Sequence, residues 1–390
     1  MKLAESIRKN KDDIKGIMQH TYPDFVFRGK DDLIVGTIPV FNFHDLTPEK
    51  FEIQLKYLFE NKYVTINADT LLCILSGEIK PIDKAVVLTF DDGLESLWSI
   101  AFPLLKKYGF VGISFIIPNL ISNNNSYYPN LVDVWNKKSS LDKLLERDKI
   151  SPLCTWSEII RMHESGVIDF QSHSLTHGTV YINDKIVDFV NPAFKPNFLS
   201  IMYNPLASGN FNYKLREIKW GLPIYESDSV LSTERRYIAN ETVNEACIKF
   251  VEANGGENFF QKTGWRKQLL TVHKRTKSKF EKDIHYQSIT ERLDDIAYEL
   301  STSKKEIELK LNKSVDHLCL PWYRASGKTI NIAKEVNYKG CYWGIVKNKS
   351  VNKVGDNPFF IKRINHNFIF SLPGKKRKPI FKVLEEKWFG

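Results

Sequence analysis

The sequence predicts an α/β fold built on a parallel sheet or barrel, and three observations carry that expectation. Ala85-Val86-Val87-Leu88 is an unbroken apolar run flanked by polar residues, the pattern of a strand buried on both faces. Val111-Gly112-Ile113-Ser114-Phe115-Ile116-Ile117-Pro118 is a second such run. Between them lies a helical stretch, 94–108, closed by Gly109. This strand–helix–strand alternation implies parallel pairing. Chemistry-bearing residues follow the strand ends, at Asp91-Asp92 and at His173, where active sites of parallel α/β folds gather.

With 390 residues the chain can hold one large domain with an insertion, or two domains. Its 42% hydrophobic and 13% aromatic content excludes a disordered chain. No apolar run approaches the ~20 residues of a membrane span. The first thirteen positions carry charges where a signal peptide needs an apolar core. The five cysteines (Cys73, Cys154, Cys247, Cys319, Cys341) are odd in number and lack CxxC spacing. They read as thiols in a reducing compartment, so the expected location is cytoplasmic. A net charge of +10 reads either as a basic soluble surface or as a preference for an acidic partner. Such a partner would be a carrier-linked sugar, an anionic glycan or a membrane face. No helix-turn-helix, finger or RNA-binding motif supports nucleic acid.

In order, 1–34 reads as an N-terminal helix and loop. Residues 34–35 and 38–43 read as strand, ending at His44-Asp45. Thr47-Pro48 opens a helix with Thr as N-cap and Pro in the first turn. Its apolar face is Phe51, Leu55, Leu58 and Phe59. The strand before Asp91 follows, and Gly93 lets the backbone turn. Residues 119–154 read as a polar loop region. Thr155-Trp156-Ser157-Glu158 is a capping box, and Gly166 stops the helix it starts. Residues 167–171 have strand character. From 181 to 287 the α/β rhythm is lost. Turn signals stand at Asn204-Pro205, Ser208-Gly209-Asn210 and Gly221-Leu222-Pro223, and a helix is expected over 242–251. The stretch is too long for an ordinary loop. It reads as an insertion shaping a substrate pocket. Tyr225, Glu226, Arg235, Arg236 and Trp265 are candidate glycan contacts, each individually more often structural.

Residues 289–311 form an amphipathic helix with the stripe Ile289, Leu293, Ile296, Leu300, Ile307 and Leu311. Leu318-Cys319-Leu320 reads as strand and 330–335 as helix. Residues 361–366 read as a strand ending in His366. Lys375-Lys376-Arg377-Lys378 with Phe381, Trp388 and Phe389 makes 373–390 a basic and aromatic tail. It reads as a solvated end or as a peripheral contact for an anionic membrane.

Two adjacent acids repel unless a cation or a shared proton intervenes. His173 and His177, four apart, would share one face of a helical turn, as metal-ligand pairs often do. One carboxylate and two imidazoles give three ligands and leave a position open for water, the arrangement of a catalytic zinc-type site. The second carboxylate can then act as a base.

Thr89-Phe90-Asp91-Asp92-Gly93 and His173-Ser174-Leu175-Thr176-His177 resemble the first and second motifs of the NodB-type polysaccharide deacetylases, carbohydrate esterase family 4. The resemblance implies a distorted (β/α) barrel with a large insertion. The catalytic barrel would come from 35–180 and 310–372, with the insertion and a helix at 181–309. It implies that Asp91 is the catalytic base and that Asp92, His173 and His177 hold one divalent metal ion, zinc by default. Ile364-Asn365-His366 is similar to the family's Leu-x-His, which implies that His366 protonates the leaving amine. Residues 321–327 resemble the third motif, which implies that Trp322, Tyr323 and Arg324 contact substrate. Arg324 follows the proline, whereas the family's base-orienting arginine precedes it. His44 stands where relatives carry a Tyr-His pair and is a further substrate contact. The family's fourth-motif aspartate has only Asp356 as a candidate. The implied reaction is hydrolysis of an N-acyl amino sugar, N-acetyl foremost, releasing acetate. A sugar deformylase, an O-acetyl esterase and a silent glycan-binding module are the competing readings. The intact Asp91, Asp92, His173 and His177 argue against the last.

Overall fold

Apolar strands with little room for polar side chains set the architecture. The computed structural model describes residues 16, 18, 19, 22–27, 36–147, 152–193, 219–280, 285–344 and 352–389. The chain divides into two compact units. One comprises Met1–Leu175, Ser301–Tyr323 and Ala333–Gly390, the other Thr176–Leu300 and Arg324–Ile332.

The first unit is built on β1 (Val40–Phe43), β2 (Val64–Thr65), β3 (Ala85–Phe90), β4 (Gly112–Ile116) and β5 (Ile168–Ser172). The second unit contributes β6 (Thr179–Phe189) and β7 (Pro223–Ser229). The chain then returns to the first with β8 (His317–Cys319), β9 (Gly340–Trp343), β10 (Ile361–Lys362) and β11 (Ile364–Asn365). The main sheet runs β10-β9-β8-β5-β4-β3-β1-β11, with β2 on the start of β3. Every pairing in it is parallel. Only Arg363 separates β10 from β11, so the two ends of this path are neighbours in sequence. The sheet is thus a nearly closed barrel. Its strands are buried on both faces, as the continuous apolar run of β3 requires; all six β3 residues are buried.

Helices cover the sheet. In α1 (Pro48–Glu60), Phe51, Gln54, Leu55, Tyr57 and Leu58 are buried. Phe59, expected on that face, is 57% exposed and lies edge-on to Tyr108. Thr47 has extended N-cap dihedrals but makes no side-chain capping bond. In α2 (Ala68–Ser76), Leu71, Ile74 and Leu75 pack with Val40, Val87, Ile113, Phe115, Cys319 and Tyr342 in one core. A π-helical turn over Leu97–Ala101 leads into α3 (Phe102–Tyr108), which Gly109 ends in the left-handed region. The stretch expected as polar loop, 119–154, contains short helices at Leu131–Trp135 and Leu141–Leu145, started by the side chains of Asn130 and Ser140. In α4 (Trp156–Glu164) the capping box forms as expected, Thr155 and Glu158 each satisfying the other's backbone N–H.

In the second unit β6 and β7 pair antiparallel. The helix α5 (Glu241–Ala253) matches the helix expected over 242–251, whereas α6 (Trp265–Phe280) was unexpected. Phe189, Cys247, Val251, Phe259 and Leu269 form the core there. Tyr225, a candidate glycan contact by sequence, is fully buried against Tyr181 and Tyr237, so it is a core residue. Glu226 accepts from Asn183, Arg236 pairs with Asp295, Arg235 lies over the Tyr286 ring, and Trp265 packs on Phe260. The turn signals at 204–205 and 208–210, the strand at 34–35 and most of the N-terminal helix lie outside the described residues.

The expected stripe on α7 (Ile289–Leu311) is buried at Ile296, Leu300, Ile307 and Leu311; Ile289, at the helix start, is 60% exposed. The helix α8 (Gly327–Glu335) follows β8. Ile380–Phe389 forms α9, buries Val383, and is tied to Lys378 through Glu386. Among the described residues no helix is long and apolar enough to cross a membrane.

Candidate metal centre

The site starts where β3 ends. Asp91 prolongs the ladder, its N–H donating to the Phe43 carbonyl at 3.1 Å. The chain then turns through two left-handed residues, Asp92 (φ 68°) and Gly93 (φ 72°). Two successive strand residues would point to opposite faces; the turn begins at Asp92 itself and brings both carboxylates, each 3% exposed, into the interior. A Cβ on Gly93 would lie 2.9 Å from Ile116 Cγ2, so this position lacks both dihedral freedom and space for a side chain.

Asp91 is clamped by Arg363, the one residue between β10 and β11. Nη1 donates to Oδ1 at 2.6 Å and Nη2 to Oδ2 at 2.9 Å. Arg363 Nη1 also reaches Thr89 Oγ1 at 3.2 Å, and its guanidinium lies near the Tyr323 ring. Burial alone would raise the Asp91 pKa. The Arg363 guanidinium, with His173 and His44, overcomes it and holds the carboxyl well below the usual range. His44 Nε2 stands 3.7 Å from Asp91 Oδ2, its side chain about half exposed.

The histidines do not lie on a helical turn. Residues 173–178 are irregular, and Ser174 (φ 67°) and His177 (φ 53°) are left-handed. These turns, not an i,i+4 face, bring the imidazoles together. Thr176 N–H and Oγ1 both donate to Glu299 Oε1, at 2.7 and 2.6 Å. His173 Nδ1 is 2.9 Å from the Cys319 carbonyl oxygen. A carbonyl can only accept, so Nδ1 carries a proton. The other ring nitrogen, Nε2, faces Asp92 Oδ1 at 3.4 Å.

The ligand atoms of Asp92, His173 and His177 all lie within 4.8 Å of one another, and all three residues are buried. One carboxylate and two imidazoles, one oriented by a backbone carbonyl, fit a divalent metal ion. Burial raises the Asp92 pKa against the pull of His173 and His44. A cation would favour the charged form. Asp91, His173 and Cys319 make a second group of the same compactness. Both Asp91 oxygens are engaged by Arg363, however, and burial pushes the Cys319 thiol up, so the first group is the better donor set.

The remaining predicted site residues are placed as follows. Trp322 and Tyr323, each 37% exposed, occupy consecutive left-handed positions after β8. The Tyr323 hydroxyl accepts from Asn42 Nδ2 at 2.7 Å. Arg324 does not meet Asp91; it pairs with Asp228 at 3.1 Å. His366, the residue after β11, stacks on Phe43 and meets Gln54. Asp356 approaches Lys362. Sequence reading missed Arg363 and Gln54. The one available signal was an amide, Gln54, on the buried stripe of α1; Arg363 stands beside Lys362 in a mixed segment and gave none.

A nearly closed parallel barrel with a buried Asp/His group at its strand ends defines a class of α/β protein equipped to hold a metal. Residues 78–187 match the polysaccharide deacetylase family model. YxkH of Bacillus subtilis, which carries a polysaccharide deacetylase name, is 28% identical over 132 residues, 32% of this chain and 43% of that protein. The poly-beta-1,6-N-acetyl-D-glucosamine N-deacetylase of Staphylococcus epidermidis is 26% identical over 144 residues, 36% of this chain and 41% of that protein. The matches thus span less than half the length of either relative. A solved de-N-acetylase from Aggregatibacter actinomycetemcomitans aligns over 84% of this chain and 95% of its own, at 16% identity and a TM-score of 0.49. A likeness at that level carries no argument about chemistry.

Proposed function

We propose that this chain is a metal-dependent hydrolase that removes the N-acetyl group from an amino sugar of a glycan or glycan precursor, releasing acetate. The observation that carries the reading is the buried group of Asp92, His173 and His177, whose ligand atoms all lie within 4.8 Å of one another. Such a cluster is stabilised by a cation and suits zinc. The activity for which the Staphylococcus epidermidis relative is named supports the amide substrate.

In this reading Asp92, His173 and His177 hold the ion. When bound, it supplies Lewis-acid activation of the acyl oxygen and of water. Asp91 takes the proton of the attacking water, its carboxylate oriented by the two Arg363 bonds. Trp322, Tyr323 and His44 supply the partly exposed wall against which a sugar can lie.

The test pairs two variants. Asp91→Asn keeps the metal and loses turnover by the ~10²–10⁴-fold of a general base. Asp92→Asn loses metal affinity and recovers partly with added ion. Metal content and single-turnover acetate release on an N-acetylated amino sugar read both. The roles are reversed if Asp91→Asn loses the metal while Asp92→Asn keeps it. Formate release from an N-formyl sugar, or hydrolysis of an O-acetyl ester, in place of acetate release from the amide would redirect the assignment to those acyl groups.

A further inference from the structure

The segment that carries the two histidines holds two left-handed residues that are not glycine, Ser174 (φ 67°) and His177 (φ 53°). A side chain disfavours that backbone, which persists only where the surroundings over-determine it. One helix supplies polar contacts to both. Glu299 on α7 is buried, and its Oε1 accepts from Thr176 N–H at 2.7 Å and from Thr176 Oγ1 at 2.6 Å. Thr176 Oγ1 in turn accepts from Gly178 N–H at 3.1 Å. Thr176 therefore brackets His177: it is held to Glu299 on one side and holds Gly178 on the other. Four positions further along α7, the buried Ser303 hydroxyl lies 2.7 Å from that of Ser172, the last residue of β5. Ser172 Oγ also accepts from Ser174 N–H at 3.3 Å.

We propose that Glu299 is a positioning residue for the metal group: by holding Thr176 it sets the left-handed turn that presents His177, so that affinity for the ion depends on a carboxylate outside the ligand set. This rests on the metal-holding part of the hydrolase reading above. Among the described residues Glu299 belongs to neither compact group of candidate ligands, so it acts through Thr176 and not on the ion. An ion that must itself order a strained turn binds less tightly than one that meets the turn already formed. The stripe of α7 carries the same signal in its sequence. Glu299 and Ser303 are buried among Ile296, Leu300 and Ile307, where a polar side chain needs a partner.

A purely structural Glu299 would tie the loop to α7 and do nothing more. Its loss would lower the stability of the metal-free chain and leave the metal affinity of the folded chain unchanged. A positioning Glu299 moves the affinity itself, as partners outside the ligand set do when they orient a ligand.

The test titrates zinc and, separately, cobalt into the full chain in competition with a chromophoric chelator, and measures the urea midpoint of the metal-free chain beside it. Glu299→Ala is expected to weaken metal binding by ~10–100-fold. Thr176→Val keeps the shape and removes the hydroxyl, so it weakens binding too; Thr176→Ser restores the donor and rescues it. Glu299→Ala and Thr176→Val remove the same bond, so the double variant loses less than the product of the two single losses. Folded Glu299→Ala with the parent's metal affinity overturns the proposal. So do equal losses in Thr176→Val and Thr176→Ser, or fully multiplicative losses in the double variant. If Glu299→Ala does not fold, the two Thr176 variants decide alone. A parent chain that binds neither ion overturns the metal reading and this proposal with it. A parent that binds, with Glu299→Ala binding equally well, overturns this proposal and leaves the metal reading standing.

Discussion

Asp91 and Arg363 bury opposite charges together, and the energetics of such pairs are asymmetric. Replacing both by apolar groups is often neutral. Removing one leaves the other's charge stranded in the interior and costs about 3–5 kcal/mol. Arg363 is 2% exposed and engages both Asp91 oxygens. Arg363→Gln is therefore expected to lower stability by roughly that amount, measured as a shift in the urea midpoint at neutral pH. The double variant Arg363→Gln/Asp91→Asn should recover a large part of the loss. If the single variant is as stable as the parent, the pair is not a buried ion pair in solution. Lysine at 363 would not reproduce the pair, because a point charge cannot make the two parallel bonds of a guanidinium.

At the scale of elements, the site depends on how strands end. The turn after β3 uses two left-handed residues, Asp92 and Gly93, and packs the second against Ile116 on β4. For Gly93→Ala the left-handed backbone alone costs about 1–2 kcal/mol, and the 2.9 Å approach to Ile116 adds to it. The expected outcome is a lower urea midpoint together with weaker metal binding, since Asp92 precedes the altered residue. Unchanged stability and unchanged metal affinity would show that the turn relaxes without cost. The helices are better insulated. The box formed by Thr155 and Glu158 caps α4 locally, and the Glu158 carboxylate also holds the buried Arg147.

For the molecule as a whole, buried histidines set the acid limit of stability. Burial pushes His273 in the second unit and His366 in the first down to about 4, against an ordinary value near 6.5. Between about 6.5 and 4 the unfolded chain binds more protons than the folded one, so stability is full above ~6.5 and falls as pH drops through that window. Asp91 has the same sign at lower pH. Its lowered carboxyl contributes stability above ~3.9 and loses it as pH falls further. Urea midpoints measured from pH 8 to 4 should decline below about 6.5. His273→Gln and His366→Gln should each flatten part of that slope. A flat profile would mean that both rings protonate in the folded state as readily as in the unfolded one.

Local pattern carried much of this protein in its sequence. The apolar runs of β3 and β4, the capping box at Thr155, the stripe of α7 and the two motifs at 89–93 and 173–177 all depend on residues a few positions apart. Their physics is short-range, so sequence alone determined a parallel α/β fold and a candidate metal group. What the tertiary structure decided lies across long separations. Arg363 reaches Asp91 over 272 positions and Gln54 reaches His366 over 312. Both pairings exist because the sheet curls until β11 lies beside β1. The burial of Tyr225 and the antiparallel ribbon of β6 and β7 were hidden for the same reason. Mixed polar and apolar residues acquire a buried face only once a partner strand and two helices are packed on them.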